Sequence, residues 1–165
     1  MTVRISKLAN GLTVATDTMP DSYSVAFGVW AGVGTRDEPK EAQGVAHLVE
    51  HMLFKGTKRR SAIEISEAME GVGGYMNAYT SREETAYHAR MLPEHVERGC
   101  DIISDMLMHS VIDPVELDRE RAVIIQEIGQ SLDAPDDHIF DLMQETAFPG
   151  QAIVKAPLYD DQKES

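Results

Sequence analysis

The stretch His47-Leu48-Val49-Glu50-His51 constrains the fold of this chain more than any other feature. Two histidines four residues apart project from one side of an α-helix, close enough to share one metal ion. Glu50 lies on the same side, where its carboxylate can hold a water molecule. Apolar residues recur around the motif at helical spacing, namely Val45, Leu48, Val49, Met52 and Leu53. The motif therefore predicts a metal-binding helix.

The order of residues in this motif is that of an inverted zinc-hydrolase signature, in which the glutamate directly precedes the second histidine. Zinc sites of hydrolases usually take three protein ligands and keep a fourth position for water. We therefore expect a third ligand elsewhere in the chain.

A second predicted helix, at 114–132, offers two candidates for that ligand. Asp113 is a suitable N-cap for it, and the proline that follows is a suitable first helical residue. Glu120 and Glu127 lie seven residues apart, two helical turns, and therefore share one face. Apolar residues repeat along the same helix, namely Leu117, Ile124, Ile125, Ile128 and Leu132. A carboxylate beside buried isoleucines is costly unless it is paired, hydrogen-bonded or metal-bound. A solvated glutamate at the edge of the helix is the alternative.

Three ordered blocks of the sequence resemble the M16 (pitrilysin) family of metallopeptidases. They are GVAHLVEHMLFKGT at 44–57, GGYMNAYT at 73–80 and ERAVIIQEI at 120–128. The resemblance spans about residues 2 to 150. In this family the third zinc ligand lies 76 residues after the second histidine, a position that Glu127 occupies here. The resemblance thus implies one Zn²⁺ per chain, bound by His47, His51 and Glu127.

The resemblance also implies the chemistry, that of a zinc-dependent endopeptidase acting on extended or unfolded peptides. Glu50 would be the general base, and Glu120 would support Glu127 and the metal from outside the ligand set. The second block would form an exposed edge strand that pairs with the peptide, with Asn77 and Ala78 contacting its main chain. An ordinary sheet strand is the alternative for this block.

Asp137 and Asp141 fall near the start of a third predicted helix, one turn apart on the same face. By resemblance, they lie where processing peptidases carry an acidic pair for a basic residue of the substrate. Capping and charge compensation at the helix N-terminus is the alternative. The formal net charge of −13 (15 Lys+Arg against 28 Asp+Glu) likewise favours basic peptides and argues against a nucleic-acid partner.

One domain of the family fits into residues 1–150, which we expect to be the zinc-binding catalytic domain. Residues 151–165 would then be a divergent C-terminal tail. Family members carry a second, related domain, which we expect to be absent here. We therefore expect a homodimer, or a partner subunit that supplies the missing half for full activity.

Two other functions stay open at this point. A non-catalytic assembly or interaction subunit can keep the same fold, although pseudo-enzymes often lose one of the four motif residues that this chain retains. A small metallohydrolase of the LuxS type shares the short motif but needs a cysteine near the metal. The single cysteine, Cys100, lies instead on the apolar stripe of a predicted helix, and a single cysteine excludes an internal disulfide bond.

The remaining pattern predicts an α+β fold, a mostly antiparallel sheet packed against helices. A hairpin is expected around the Asn10-Gly11 turn, with strands at 3–8 and 12–17. Further strands are expected at 24–33, 74–80 and 84–91, and further helices at 62–69, 93–110 and 136–148. The basic run 55–60 is expected to be a solvated turn.

The sequence also predicts where the protein resides. No stretch approaches the roughly 20 apolar residues that are needed to cross a bilayer. The N-terminus lacks the apolar core of a secretory signal. We therefore expect a cytoplasmic protein of bacterial type without a membrane partner, with a mature organellar chain as the alternative.

Overall fold

An antiparallel hairpin opens the fold. The computed structural model describes residues 3–150, apart from the side chains of Lys40, Leu132 and Asp137. The first two strands are β1 (Val3–Lys7) and β2 (Thr13–Asp17), which pair with each other. Gly11 adopts a φ of +92° in the turn between them, a conformation that favours glycine. The hairpin predicted at this turn is confirmed.

A three-stranded antiparallel sheet forms the centre of the fold. Its strands are β3 (Val25–Ala31), β4 (Tyr75–Thr80) and β5 (Thr85–Met91), in the order β3-β5-β4. The central strand, β5, is almost completely buried, while β4 lies at one edge. This arrangement confirms the expected α+β class with a mostly antiparallel sheet packed against helices.

The described residues form five α-helices, three of which pack on this sheet. The five helices are α1 (Val45–Leu53), α2 (Ala62–Glu70), α3 (Val96–His109), α4 (Pro114–Asp133) and α5 (Pro135–Ala147). Short 3-10 turns at Thr35–Asp37, Lys40–Ala42 and Pro93–His95 connect some of the elements. Helix α3 packs on β3 and β5, α1 and α2 pack on β4, and α4 packs on both α1 and α5. None of the helices within residues 3–150 is both long and apolar enough to cross a membrane.

The hydrophobic core lies between the sheet and helices α1, α2 and α3. Its fully buried members are Leu53, Ile65, Met69, Tyr87, Ala89, Met91, Ile102, Ile103 and Met106. Partly buried side chains of β3 and β4, among them Phe27, Val29 and Met76, pack against them. Cys100 is partly buried on α3, and burial raises the pKa of its thiol above the usual value.

The other face of the sheet carries exposed aromatic side chains, among them Trp30, Tyr75 and Tyr79. The indole of Trp30 lies over Gly28, where an added Cβ would come within 2.7 Å of the ring. The indole Nε1–H donates to the hydroxyl of Tyr79 at 3.2 Å, and that hydroxyl donates to Glu84 at 2.8 Å. The absence of a side chain at Gly28 therefore makes room for Trp30.

Some apolar residues that were expected to be buried are exposed. Val45 and Val49 of α1 are 41% and 43% exposed, and Ile125 of α4 is 65% exposed. Ile124 and Ile128 are only partly buried. Helical periodicity identifies the residues that share a face, but it does not identify what covers that face. Within the described residues, the solvent-facing sides of α1 and α4 have no neighbouring element over these positions.

Candidate metal centre

A buried carboxylate fixes the start of helix α1. Its N-cap residue, Gly44, has a φ of +84° and no side chain with which to cap the helix. Glu38 supplies the cap instead, because its Oε2 accepts from the Gly44 N–H at 2.8 Å and its Oε1 from the Ala46 N–H at 2.7 Å. This carboxylate also lies at the positive end of the helix dipole. The loop at 38–44 therefore sets the position of the histidine helix.

His47, His51 and Glu127 converge at the contact between α1 and α4. The two Nε2 atoms lie 3.1 Å apart. Oε2 of Glu127 lies 3.8 Å from Nε2 of His47 and 3.6 Å from Nε2 of His51. A tetrahedral zinc ion about 2.1 Å from such ligands separates them by roughly 3.4 Å. These three side chains, which the family resemblance names as the ligands, can therefore hold a metal ion.

The hydrogen bonds around His51 leave the correct nitrogen free for a metal. Its Nδ1 lies 2.9 Å from Oε2 of Glu120. Because an ionised carboxylate only accepts hydrogen bonds, the proton is on Nδ1, and Nε2 presents a lone pair toward His47 and Glu127. A carboxylate behind a histidine ligand is the usual arrangement at zinc sites. The donor set and its orientation fit zinc.

Electrostatics favour the metal-binding protonation states. Burial lowers the pKa of His47, and the neighbouring His51 lowers it further, so that the imidazole is held in its neutral form. Burial alone would raise the pKa of Glu120, but hydrogen bonds from Lys55 and His51 more than offset this and lower it. The neutral imidazole is the form that a divalent metal requires, and the ionised Glu120 carboxylate is the form that accepts the hydrogen bond from His51.

Glu50 lies between the histidine pair and the sheet. Its Oε2 accepts a hydrogen bond from the hydroxyl of Thr80, the last residue of β4. The charge on Glu50 also acts on His47, where it opposes the lowering of the pKa. Glu50 is therefore held beside the metal centre and in contact with the edge strand.

Asn77 and Ala78, the predicted peptide contacts, lie in the edge strand β4. Asn77 is exposed, and its Nδ2 donates to the hydroxyl of Tyr75 at 2.8 Å. Its Oδ1 accepts from the N–H of Ala78 at 2.9 Å. The side chain of Asn77 therefore covers a backbone donor of the strand.

Asp141, one of the two aspartates predicted to bind a basic substrate residue, is paired within the chain. Nη2 of Arg82, in the turn between β4 and β5, donates to Oδ1 of Asp141 at 3.0 Å. Both side chains are partly buried, each being 24% exposed. Asp137 lies one turn earlier on α5, and its side chain lies outside the described part of the structure.

The basic run after α1 is not a solvated turn, contrary to the sequence-based expectation. Arg59 and Arg60 each bind both Asp101 and Asp105 of α3. Lys55 binds Oε1 of Glu120 at 2.7 Å. Their acidic partners lie more than forty residues away along the chain, and the sequence near these cations gives no sign of them.

Sequence reasoning missed three residues that contact the candidate site. Lys55 follows His51 at the same four-residue interval that separates His51 from His47, so its spacing could have identified it. Thr80 lies on the same side of β4 as Met76 and Ala78, which is the side that faces the helices. No local pattern points to Arg82, whose partner is on α5.

Comparison with known proteins decides the family. The family described as insulinase (peptidase family M16) matches residues 13–161. The chain belongs to peptidase family M16. The matched segment contains both histidines of the M16-type blocks and their three glutamates, Glu50, Glu120 and Glu127. It also extends past residue 150 into the expected tail, which lies outside the described residues.

Individual M16 relatives have names that agree with a zinc peptidase. An uncharacterized zinc protease of Streptomyces coelicolor is 44% identical over 152 residues, covering 92% of this chain and 33% of the relative. The mitochondrial-processing peptidase subunit beta of Blastocladiella emersonii is 42% identical over 150 residues, covering 91% of this chain and 32% of the relative. This chain thus spans about a third of the length of these relatives.

A solved structure has the same fold. A protease from Helicobacter pylori superposes with a TM-score of 0.90 at 24% sequence identity, covering 96% of this chain and 39% of that chain. The α+β architecture described above is therefore that of a known protease.

Proposed function

We propose that this chain carries the catalytic zinc site of an endopeptidase that hydrolyses peptide bonds in extended peptides. The observation that supports the proposal most is the convergence of His47, His51 and Glu127, with Glu50 beside them in contact with an edge strand. Relatives named zinc protease support the same activity. One zinc ion per chain is the expected occupancy.

The residues of the centre divide the chemistry between them. A bound zinc ion would supply a Lewis acid that polarises the scissile carbonyl. Thr80 donates to one oxygen of Glu50, which leaves the other oxygen free to take a proton from the attacking water and pass it to the leaving amine. Glu120 holds His51 in the tautomer that presents Nε2.

Strand β4 provides the surface on which a peptide would extend. It lies at an edge of the described sheet, and its last residue contacts Glu50. A peptide that adds to this edge gains main-chain hydrogen bonds whatever its side chains are. The Ala78 N–H now donates to the Asn77 carboxamide, and a main-chain carbonyl of the bound peptide would take the place of this acceptor.

A preference for basic peptides is part of this proposal. Asp141 already binds a guanidinium group, that of Arg82, so its surroundings suit an arginine. A substrate arginine would compete with Arg82 for this carboxylate, with Asp137 as the second member of the pair. The net charge of −13 would attract basic peptides over a longer range.

Full activity is proposed to require a second half, either from a homodimer or from a partner subunit. Large apolar side chains of α5 are exposed, among them Ile139, Phe140 and Met143. Exposed apolar surface of this kind is typical of an interface. The chain also covers only about a third of the relatives that it matches.

Metal analysis and a peptidase assay on matched variants test the proposal. The wild-type chain should bind one zinc and cleave an unfolded, quenched-fluorescent peptide. The Glu50→Gln variant should keep its zinc and lose cleavage, since an amide does not accept the proton. The assay is run on the chain alone and again with a second half or partner subunit, which should raise the rate.

Each outcome separates a different part of the proposal. Stoichiometric zinc in the His51→Ala, Glu127→Ala double variant would rule out this metal site. Cleavage by Glu50→Gln at the wild-type rate would remove Glu50 as the base. A chain that binds zinc and cleaves nothing under either condition would instead favour a non-catalytic assembly subunit.

A further inference from the structure

Lys55 ends a row of side chains that runs along the contact between α1 and α4. His47, His51 and Lys55 follow one another at intervals of four residues, so they lie along one side of α1 and its C-terminal extension. The Lys55 N–H bonds the carbonyl of Met52 at 3.1 Å, which continues the helical turn as far as this residue. The three nitrogen-bearing side chains therefore face α4 together.

Two carboxylates of α4 fit between these three side chains. Glu127 lies between His47 and His51, at 3.8 and 3.6 Å. Glu120 lies between His51 and Lys55, at 2.9 and 2.7 Å. Basic groups and carboxylates thus alternate along the whole helix contact, and Lys55 is the member farthest from the two Nε2 atoms.

We propose that Lys55 is a positioning residue for the metal ligand His51 and that it acts through Glu120. The inference rests on the zinc site of the proposed function. Lys55 itself would touch neither the metal nor the substrate. Its role would be to hold one oxygen of Glu120 so that the other is aimed at Nδ1 of His51.

The burial of Glu120 makes this second contact necessary. The side chain of Glu120 is only 7% exposed, so each of its oxygens needs a partner within the protein. Without the ammonium group, Oε1 would be a buried anionic acceptor with no donor. The carboxylate would then turn toward water to find a donor, and this movement disturbs the hydrogen bond that fixes the tautomer of His51.

An ordinary surface ion pair is the competing interpretation of the Lys55 contact. Surface pairs between flexible side chains contribute little, because both partners keep their hydration. Lys55 differs from such a case, since its own side chain is 31% exposed and its partner is nearly inaccessible. Lys58, which is exposed and lies three residues further on, provides a matched comparison.

The zinc dissociation constants of five variants test the inference. They are measured on the purified chain by competition with a chromophoric chelator, with circular dichroism to verify folding. Loss of contacts around a ligand typically weakens metal binding about 10- to 100-fold, so Lys55→Met should weaken it about tenfold. Lys55→Arg, which keeps a cationic donor, should recover most of the affinity, and Lys58→Met should leave it unchanged.

A double variant tests whether the effect passes through Glu120. Glu120→Gln alone should weaken zinc binding, and adding Lys55→Met to it should change the affinity by less than about twofold, because coupled residues are not additive. Additive losses, or a Lys55→Met variant with wild-type affinity, would overturn the inference while leaving the zinc site intact. A wild-type chain that binds no zinc would overturn both. Lys55→Gln replaces Lys55→Met in the series if the latter does not fold.

Discussion

Replacing Asp105 with alanine should lower the free energy of unfolding by about 3 kcal/mol. The carboxylate of Asp105 is fully buried on α3 and binds the loop that follows the histidine helix. It accepts from the Thr57 hydroxyl at 2.8 Å, from Nε of Arg59 at 2.8 Å and from Nη1 of Arg60 at 2.6 Å. Nδ1 of His109 lies 3.1 Å away. One carboxylate therefore anchors the whole loop.

The size of this loss depends on how far each hydrogen-bond partner of Asp105 can bond to water instead in the variant. Hydrogen bonds to charged groups contribute about 1.5–3 kcal/mol each, and a buried group left without a partner costs about 1–3 kcal/mol. Arg59 is half exposed and regains water easily, whereas Arg60 is 22% exposed and the Thr57 hydroxyl is buried. Discounting the Arg59 contact leaves about 3 kcal/mol, which for a chain of this size is roughly 6–12 °C in Tm.

Urea denaturation of the metal-free chain, followed by circular dichroism, measures this change. Asp101→Ala is the matched control, because Asp101 binds the same two arginines from the surface of the same helix and is 48% exposed. It should cost no more than about 1 kcal/mol. The reasoning is refuted if Asp105→Ala lies within 1 kcal/mol of wild type, or if the two variants cost the same.

The contribution of Asp105 should also depend on pH. Burial alone would raise its pKa, but hydrogen bonds from Thr57, Arg59 and Arg60 more than offset this and hold the pKa far below its usual range. A carboxyl group whose pKa is depressed on folding stabilises the protein fully above its unfolded pKa of about 3.9. The stability difference between wild type and Asp105→Asn should therefore be constant near neutrality and shrink as the pH falls below about 4.

Two further predictions concern the proposed peptidase. Thr80→Val removes the hydroxyl that donates to Glu50, so kcat should fall about tenfold with little change in KM. Thr80→Ser keeps a hydroxyl and should retain the wild-type rate. If Thr80→Val is as active as wild type, this hydroxyl has no role in catalysis. Asp141→Asn should reduce the preference for an arginine-containing peptide over its alanine counterpart in a binding assay. Arg82→Ala should increase the preference for the arginine-containing peptide, since it frees the Asp141 carboxylate. If both variants change the preference in the same direction and by the same amount, a substrate arginine does not compete with Arg82 for Asp141.

The histidine helix, and the two candidate glutamates for a third ligand, could be predicted from sequence because both depend on local geometry. Intervals of four and seven residues along a helix fix which side chains share a face, whatever the rest of the fold does. The buried Glu120 could be anticipated for the same reason, since a carboxylate on an apolar stripe needs a partner. The pairing of Glu127 with the two histidines rested on the family spacing rather than on the pattern alone.

Contacts between distant segments could not be predicted in this way. The pairing of Lys55 with Glu120, and of Arg82 with Asp141, joins positions more than fifty residues apart. The four-residue spacing of Lys55 from His51 shows which side of the helix it extends, but it does not show which distant residue is its partner. The exposure of Ile125 was missed for a related reason, because its burial depends on which element packs over α4.

In the part of the chain that the structure describes, helices α4 and α5 are attached to the rest of the fold without fully buried apolar contacts of their own. Within the described residues, neither α4 nor α5 contributes an apolar side chain to the fully buried set, and the fully buried residue of α4 is the charged Glu120. A bound zinc ion would therefore hold α4 against α1, because its ligands come from both helices. Without metal, we expect α4 to open locally while the sheet and α3 stay folded, so amide exchange in α4 should slow markedly when zinc binds. Uniform protection of α4 with and without zinc would contradict this. The rate of metal release would then be set by local opening of α4 away from α1, and unfolding of the whole domain would not be needed.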